Sequence, residues 1–153
     1  SENPGGFYTD SVAAARALGK RSLVLTPQTE GIPTGPDVLV RAFVPHEDVF
    51  PSASVVVHHG GIGTTGQALM AGRPQLVVPH FGDQPDNGAR LERLGVGQVI
   101  ASTAYNAKTA EVAIGALLAA DEMADRAQNL AKTIAHENGA QSAADAIMDL
   151  IGH

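Results

Sequence analysis

The feature of this sequence that most restricts its fold is an apolar stretch that runs directly into two histidines and a cluster of glycines. Residues 55–66 read Val-Val-Val-His-His-Gly-Gly-Ile-Gly-Thr-Thr-Gly. The valines predict a buried strand, the glycines a tight turn, and the residues from about Thr64 onward a helix. Glycine lets a backbone approach a ligand closely, and the first turn of a helix leaves unpaired N–H groups at its positive end. The stretch therefore predicts a phosphate or pyrophosphate site, in preference to a turn that binds nothing.

The same glycines match a competing pattern. Gly61, Gly63 and Gly66 have the spacing of the dinucleotide fingerprint. Asp83 and Asp86 follow these glycines at about the sequence spacing that the pattern requires for an acidic residue that binds the ribose. That fingerprint normally lies on the first strand of its unit, whereas two strand-like segments precede it here, and the paired histidines have no role in it. A dinucleotide-binding oxidoreductase domain is kept as an alternative.

Composition narrows the class of protein. The chain has 153 residues, enough for one domain with a sizeable core, and no cysteine, which excludes disulfides and thiolate metal sites. No apolar run approaches a membrane span, and the first residues lack the pattern of a signal peptide, so a cytoplasmic protein is expected. The net charge of −6 argues against a nucleic-acid partner. A small phosphate ligand is compatible with it, because backbone N–H groups can hold an anion inside an acidic protein.

Short apolar strands alternate with helical segments along the chain. Such strands, without polar alternation, are typical of a parallel sheet that is covered on both faces. We predict one three-layer α/β domain over residues 1–153. The predicted strands cover residues 22–26, 37–43, 54–58, 75–79 and 97–100, and the predicted helices cover 9–18, 64–71, 86–94 and most of the chain beyond 105.

The opening of the chain departs from this alternation. Residues 1–6 form a polar, glycine-rich turn that feeds a helix with no strand before it. Because a doubly wound domain usually opens with a strand, we expect that the chain lacks the first strand of the domain.

Polar residues follow the fourth predicted strand and share the ligand-binding edge of the sheet with the glycine turn. Asp83 can accept hydrogen bonds and Gln84 can both donate and accept, which suits the vicinal hydroxyls of a sugar. The alternative is that Asp83 only caps the following helix, with Pro85 in its first turn.

Three further side chains at this edge have open interpretations. His58 and His59 point to opposite faces of a strand, so one of them is expected to be structural. A zinc site built from His59, His80 and Asp83 is disfavoured, because the spacings of known zinc motifs are absent. Phe43 follows a strand and either stacks on a ligand ring or fills the core.

Four segments together resemble a known family. They are Phe-Val-Pro-His at 43–46, His-His-Gly-Gly-Ile-Gly-Thr-Thr at 58–65, Ala-Gly-Arg-Pro at 71–74 and Pro-His-Phe-Gly-Asp-Gln-Pro at 79–85. In this combination the chain resembles the donor-binding half of the UDP-glycosyltransferases, and it is most similar to the bacterial antibiotic and sterol glycosyltransferases. The resemblance implies the carboxyl-terminal, Rossmann-like half of a GT-B fold.

The resemblance also implies roles for individual residues. Phe43 matches the aromatic that stacks on the nucleobase, and Val44 matches the residue whose backbone reads the base edge. Asp83 and Gln84 match the pair that binds the hexose hydroxyls. The implied diphosphate-binding residues are His59, Gly61, Gly63, Thr64, Thr65 and Ser1.

The resemblance assigns the catalytic base and the acceptor pocket to a part of the enzyme outside this chain. In the family, the catalytic base and the acceptor pocket belong to an amino-terminal domain, so no catalytic residue is assigned here and the chain alone is expected to be inactive. The implied activity of the whole enzyme is inverting transfer of a hexose from a UDP- or TDP-sugar to a small-molecule hydroxyl, without metal or cofactor. The alternatives are a non-catalytic nucleotide-sugar-binding subunit of a two-chain enzyme, a sugar-nucleotide epimerase and the oxidoreductase domain.

Overall fold

A computed structural model describes residues 4–136 of the chain. None of the helices within these residues is long and apolar enough to cross a bilayer. The strands are β1 (Ser22–Leu25), β2 (Val38–Arg41), β3 (Val56–His58), β4 (Gln75–Val77) and β5 (Gly97–Val99). The helices are α1 (Pro4–Ala17), α2 (His46–Val49), α3 (Ile62–Met70), α4 (Gln84–Leu94), α5 (Ala107–Ala119) and α6 (Asp121–His136), with 3-10 turns at Phe50–Ser52 and Ser102–Ala104.

All five predicted strands form, but the helix after the glycine turn starts earlier than expected. It begins at Ile62, so the predicted start near Thr64 was wrong by two residues. The first helical hydrogen bond runs from the Thr65 N–H to the Gly61 carbonyl at 3.0 Å. The glycines were assigned to the turn, whereas the helix includes Gly63.

The strands are parallel, as predicted, but they lie in two sheets within the described residues. In the first sheet β1 pairs with β2, with Ser22 opposite Val38. In the second, β4 lies between β3 and β5, with Gln75 opposite both Val56 and Gly97. No described strand joins β1 to β3.

Helices cover both faces of the strands, which gives the three layers that the sequence predicts. On β4, successive side chains point to opposite faces. Leu76 is fully buried and packs with Ala14 of α1 and with residues of α5. Val77 is also fully buried, and it packs with Leu91 of α4 and Ala127 of α6.

The position of α4 depends on two glycines. A Cβ on Gly88 would lie 2.7 Å from Cγ2 of Val99, so only glycine allows α4 to lie this close to the sheet. Gly95 ends the helix in the left-handed conformation at φ 67°, as its sequence position predicts. The close approach of α4 brings its first turn beside the turn that follows β3.

Candidate functional site

The turn after β3 is built around Gly60, a residue that sequence reasoning did not single out. Its φ of 88° is in the left-handed region. A Cβ at this position would lie 2.7 Å from Cγ1 of Val77 and 3.0 Å from the backbone oxygen of Gln84. Both the conformation and the space therefore require glycine here.

His58 holds the amino side of this turn. Its ring is buried, and Nδ1 accepts a hydrogen bond from the Gly60 N–H at 3.0 Å. Nε2 lies 2.7 Å from Oε1 of Gln75, and because that oxygen only accepts, Nε2 carries the proton. The Gln75 amide donates in turn to the carbonyl of Thr65 at 3.4 Å. This buried chain of hydrogen bonds joins β3, the glycine turn, β4 and α3, so His58 is the structural member of the histidine pair.

Asn87 holds the carboxyl side of the turn. Its Nδ2 group donates to the Gly60 carbonyl at 2.9 Å and to Oδ2 of Asp83 at 2.9 Å. One buried side-chain amide therefore connects the glycine turn with the loop before α4. The sequence reasoning missed Asn87, although its spacing four residues after Asp83 places the two side chains on neighbouring turns of a helix.

The structure does not support the helix-cap alternative for Asp83. This residue occupies the N-cap position of α4 but makes no side-chain capping hydrogen bond. Its carboxylate is exposed and accepts from Asn87 instead. One oxygen thus fixes the side chain in place.

Gln84 anchors the loop between β4 and α4. Its Oε1 accepts from the N–H groups of His80 and Phe81 at 2.8 and 3.2 Å. The carboxamide oxygen is therefore committed to the loop, and the NH₂ group is the part of this side chain that can donate to a ligand.

The first turn of α3 supplies backbone donors. In a helix with Gly61 as N-cap, the N–H groups from Gly61 to Thr64 have no intrahelical partner. A Cβ on Gly61 or Gly63 would meet no described atom within 4 Å, so the approach to these groups is open. Thr65 differs from expectation, because its N–H bonds to Gly61 and its side chain is only 5% exposed. A direct contact of Thr65 with the diphosphate stays a prediction.

Gly66, the third glycine of the dinucleotide pattern, does not have the role that the pattern gives it. In dinucleotide-binding folds the third glycine permits close packing between helix and strand. A Cβ on Gly66 would meet no described atom within 4 Å, apart from its neighbours in α3. The geometry therefore argues against the dinucleotide interpretation.

His59 follows β3 directly and is half-buried among aromatic rings. Its ring centroid lies 4.5 Å from that of Phe7 in α1 and 4.6 Å from that of His80. Behind Phe7, the Tyr105 hydroxyl lies 2.7 Å from Oγ of Ser11, and burial raises the pKa of Tyr105 to about 12. These rings fix the orientation of His59. Within residues 4–136 no group of three His, Asp or Glu side chains is arranged to hold a metal ion.

The remaining residues predicted to bind the ligand are Phe43, Val44 and Ser1. Phe43 follows β2 with 78% of its surface exposed, which excludes the core alternative. Val44 is half-buried beside it. Ser1 lies outside the described residues.

Comparison with known proteins identifies the family to which the chain is similar. The model of the erythromycin biosynthesis protein CIII-like C-terminal domain matches residues 22–150. A sterol 3-beta-glucosyltransferase of Saccharomyces cerevisiae is 43% identical over 104 residues, which are 68% of this chain and 8% of that protein. The chain therefore spans less than a tenth of the length of this relative.

Solved structures give the same fold. The kitacinnamycin glycotransferase superposes with a TM-score of 0.84 at 25% identity, over 97% of this chain and 39% of that protein. The glycosyltransferase VinC, solved in complex with DTDP, superposes with a TM-score of 0.73 at 25% identity, over 81% of this chain and 32% of that protein.

The burial of His58 makes stability depend on pH. Burial lowers its pKa from 6.5 to about 4. Between these values the unfolded state binds a proton that the folded state does not, so stability rises with pH. The contribution is complete above pH 6.5, is lost as pH falls through 4, and is on the order of 3 kcal/mol. Urea unfolding of His58→Asn, which keeps an acceptor for Gly60, should show a shallower pH slope than wild type.

The exposed His136 offers a matched control, because His136→Asn should keep the wild-type slope. Equal slopes for His58→Asn and wild type would show that another group titrates.

Proposed function

The chain belongs to the family of erythromycin biosynthesis protein CIII-like carboxyl-terminal domains of glycosyltransferases, and on that premise we propose that it binds the nucleotide-sugar donor of an inverting hexosyltransferase. The observation that carries this proposal is the Asn87 amide, which donates to both the Gly60 carbonyl and the Asp83 carboxylate. It brings a backbone anion site and a sugar-binding carboxylate together at one edge of the sheet.

We assign the diphosphate to the first turn of α3. The N–H groups of Gly61, Gly63 and Thr64 point out of the helix end, and the helix dipole favours negative charge there by roughly 0.3–1 kcal/mol. His59 adds a ring donor, held in place by Phe7 and His80. These groups can neutralise a leaving diphosphate without a metal ion.

We assign the nucleobase to Phe43. A phenylalanine with 78% of its surface exposed at the carboxyl end of a strand is available to stack on a planar ring. The backbone of Val44, the next residue, is proposed to read the base edge. VinC was solved with DTDP, and this supports testing thymidine as well as uridine nucleotides.

We assign the hexose to Asp83 and Gln84. The Asp83 carboxylate keeps acceptor capacity beyond its bond to Asn87, and the Gln84 NH₂ group can donate, so the pair complements hydroxyls that both donate and accept. A carboxylate beside a diphosphate would be repelled, so Asp83 is useful only toward the neutral sugar.

The proposed chemistry divides the work between two parts of the full enzyme. An acceptor oxygen attacks the anomeric carbon on the face opposite the diphosphate, the bond from that carbon to the diphosphate oxygen breaks, and a base takes the acceptor proton. The groups of this chain stabilise the charge on the departing diphosphate. We place the base and the acceptor pocket outside the described residues.

The diphosphate assignment predicts the effect of removing His59. His59→Ala should weaken UDP or TDP binding by about 1.5–3 kcal/mol, because a hydrogen bond to a charged oxygen is lost. Calorimetry in the presence of EDTA measures this change and checks that binding needs no Mg²⁺. His136→Ala should leave the affinity at the wild-type value. An unchanged affinity in His59→Ala would remove His59 from the site.

The sugar assignment predicts a split between two ligands. Asp83→Ala should weaken UDP-hexose binding by about 1.5–3 kcal/mol while UDP binding hardly changes, because only the sugar contacts this carboxylate. Asp86→Ala, which removes another exposed carboxylate from the first turn of α4, should change neither affinity. Equal weakening of both ligands would contradict the assignment.

Gln84 allows an isosteric test. Gln84→Glu keeps an oxygen to accept from His80 and Phe81 but removes the NH₂ donor. The melting temperature should therefore stay near that of wild type while UDP-hexose binding weakens roughly tenfold. Gln67→Glu, on the exposed side of α3, controls for the added charge. A variant that melts earlier with unchanged affinity would reduce Gln84 to a loop anchor.

A further inference from the structure

His80 contacts both parts of the candidate site, although no role has been assigned to it so far. Its backbone N–H donates to Oε1 of Gln84, a member of the proposed sugar-binding pair, at 2.8 Å. Its ring packs edge-to-face against the ring of His59, with the centroids 4.6 Å apart and the planes at 71°. One residue therefore lies between the loop that carries the sugar-binding pair and the histidine assigned to the diphosphate.

A closed turn fixes the backbone of His80. The Gln84 carboxamide oxygen accepts from the N–H groups of His80 and Phe81, and the Gln84 N–H donates to the Phe81 carbonyl at 3.4 Å. Gly82, inside this turn, has the left-handed conformation at φ 65°. Because the carboxamide oxygen is the acceptor for the His80 N–H, the position of His80 depends on the Gln84 side chain.

The ring of His80 acts through its neighbours rather than on a ligand. Both of its ring nitrogens are buried, so neither can donate to a molecule bound at the surface of the site. An influence of this imidazole on a bound nucleotide must therefore pass through a side chain that it contacts, and His59 is such a side chain.

His59 can serve the diphosphate in one orientation of its ring. Its Nδ1 is buried, which leaves Nε2 as the ring nitrogen that can reach a ligand. Rotation about χ1 gives three staggered positions, and a half-turn about χ2 exchanges the two edges of the ring, so one of about six arrangements is suitable. Phe7 supports the ring from α1 and His80 supports it from the loop after β4.

We propose that His80 is a positioning residue that couples the sugar loop to the diphosphate site. The Gln84 carboxamide oxygen fixes His80, and the His80 ring holds His59 with Nε2 toward the diphosphate. The coupling rests on the assignment of the diphosphate to His59. It adds a consequence of its own, because the affinity for UDP, which lacks the hexose, then depends on a residue of the sugar loop.

Calorimetry with UDP tests the coupling at His80. His80→Leu removes the ring but keeps the backbone N–H, so His59 populates its other arrangements and the competent fraction falls. The Kd for UDP should rise about threefold to sixfold, as χ1 alone or χ1 and χ2 become free. His80→Phe keeps an aromatic ring beside His59 and should bind UDP within about twofold of wild type.

Two results of this measurement would overturn the proposal. One is a His80→Leu variant that binds UDP as tightly as wild type, and the other is a His80→Phe variant as weak as His80→Leu. The titrations are made at a temperature at which circular dichroism shows each variant folded.

A second variant leaves the His80 ring in place and acts from the sugar loop. Gln84→Met keeps the length of the side chain but removes the carboxamide oxygen. It should raise the Kd for UDP about threefold in the wild-type background and cause no further loss in the His59→Ala background. Gln67→Met, on the exposed side of α3, is the matched control and should keep the wild-type Kd. Equal losses from Gln84→Met in the two backgrounds would contradict the coupling.

NMR of the nucleotide-free chain observes the orientation directly. Three-bond couplings from the backbone ¹⁵N and carbonyl ¹³C of His59 to its Cγ should indicate a single χ1 rotamer in wild type and averaged rotamers in His80→Leu. A single rotamer in both proteins would overturn the proposal. Unchanged UDP affinity in His59→Ala would instead overturn the donor assignment, and it would do so without changing these couplings.

Discussion

The candidate site depends on Gly60, a buried residue whose backbone N–H and carbonyl both form hydrogen bonds with side chains. The Gly60 N–H donates to His58 and the Gly60 carbonyl accepts from Asn87. If either partner were lost, a buried polar group would be left unsatisfied at a penalty of roughly 1–3 kcal/mol. The left-handed turn at Gly60 sets the direction in which α3 begins, and Asn87 sets the distance to Asp83. The backbone donors and the carboxylate are therefore positioned together rather than separately.

The sequence was sufficient for features that depend on local chemistry. The valines of β3, the glycines after it and the left-handed stop at Gly95 follow from propensity and conformation, and the structure confirms them. The pairing of His58 with Gln75 spans 17 residues, and that of Asn87 with Gly60 spans 27. Such contacts exist only after the sheet and α4 have packed, so no local pattern could indicate them. The start of α3 at Ile62 was missed because Gly61 and Gly63 were assigned to the turn, whereas the helix includes Gly63.

Local geometry also explains how an acidic chain can offer an anion site. The net charge is −6, but the groups at the first turn of α3 are backbone amides, whose partial charge does not titrate. His58, the nearest buried imidazole, is mostly neutral above about pH 4, because burial lowers its pKa to that value. Its role is to accept from Gly60, and a proton on Nδ1 would remove that acceptor. The turn therefore keeps its shape under the conditions in which a diphosphate is fully charged.

A groove between β1 and β3 separates the two sheets, and the candidate site lies at one end of it. To one side of the groove the strand order runs through β1 to β2, and to the other through β3 to β5. Connections that leave in opposite directions open a crevice at the carboxyl ends of the strands, where open α/β sheets bind their ligands. His59, Gly61 and Thr64 lie at the carboxyl end of the groove. The groove between the sheets and the proposed anion site therefore share the carboxyl edge of the strands.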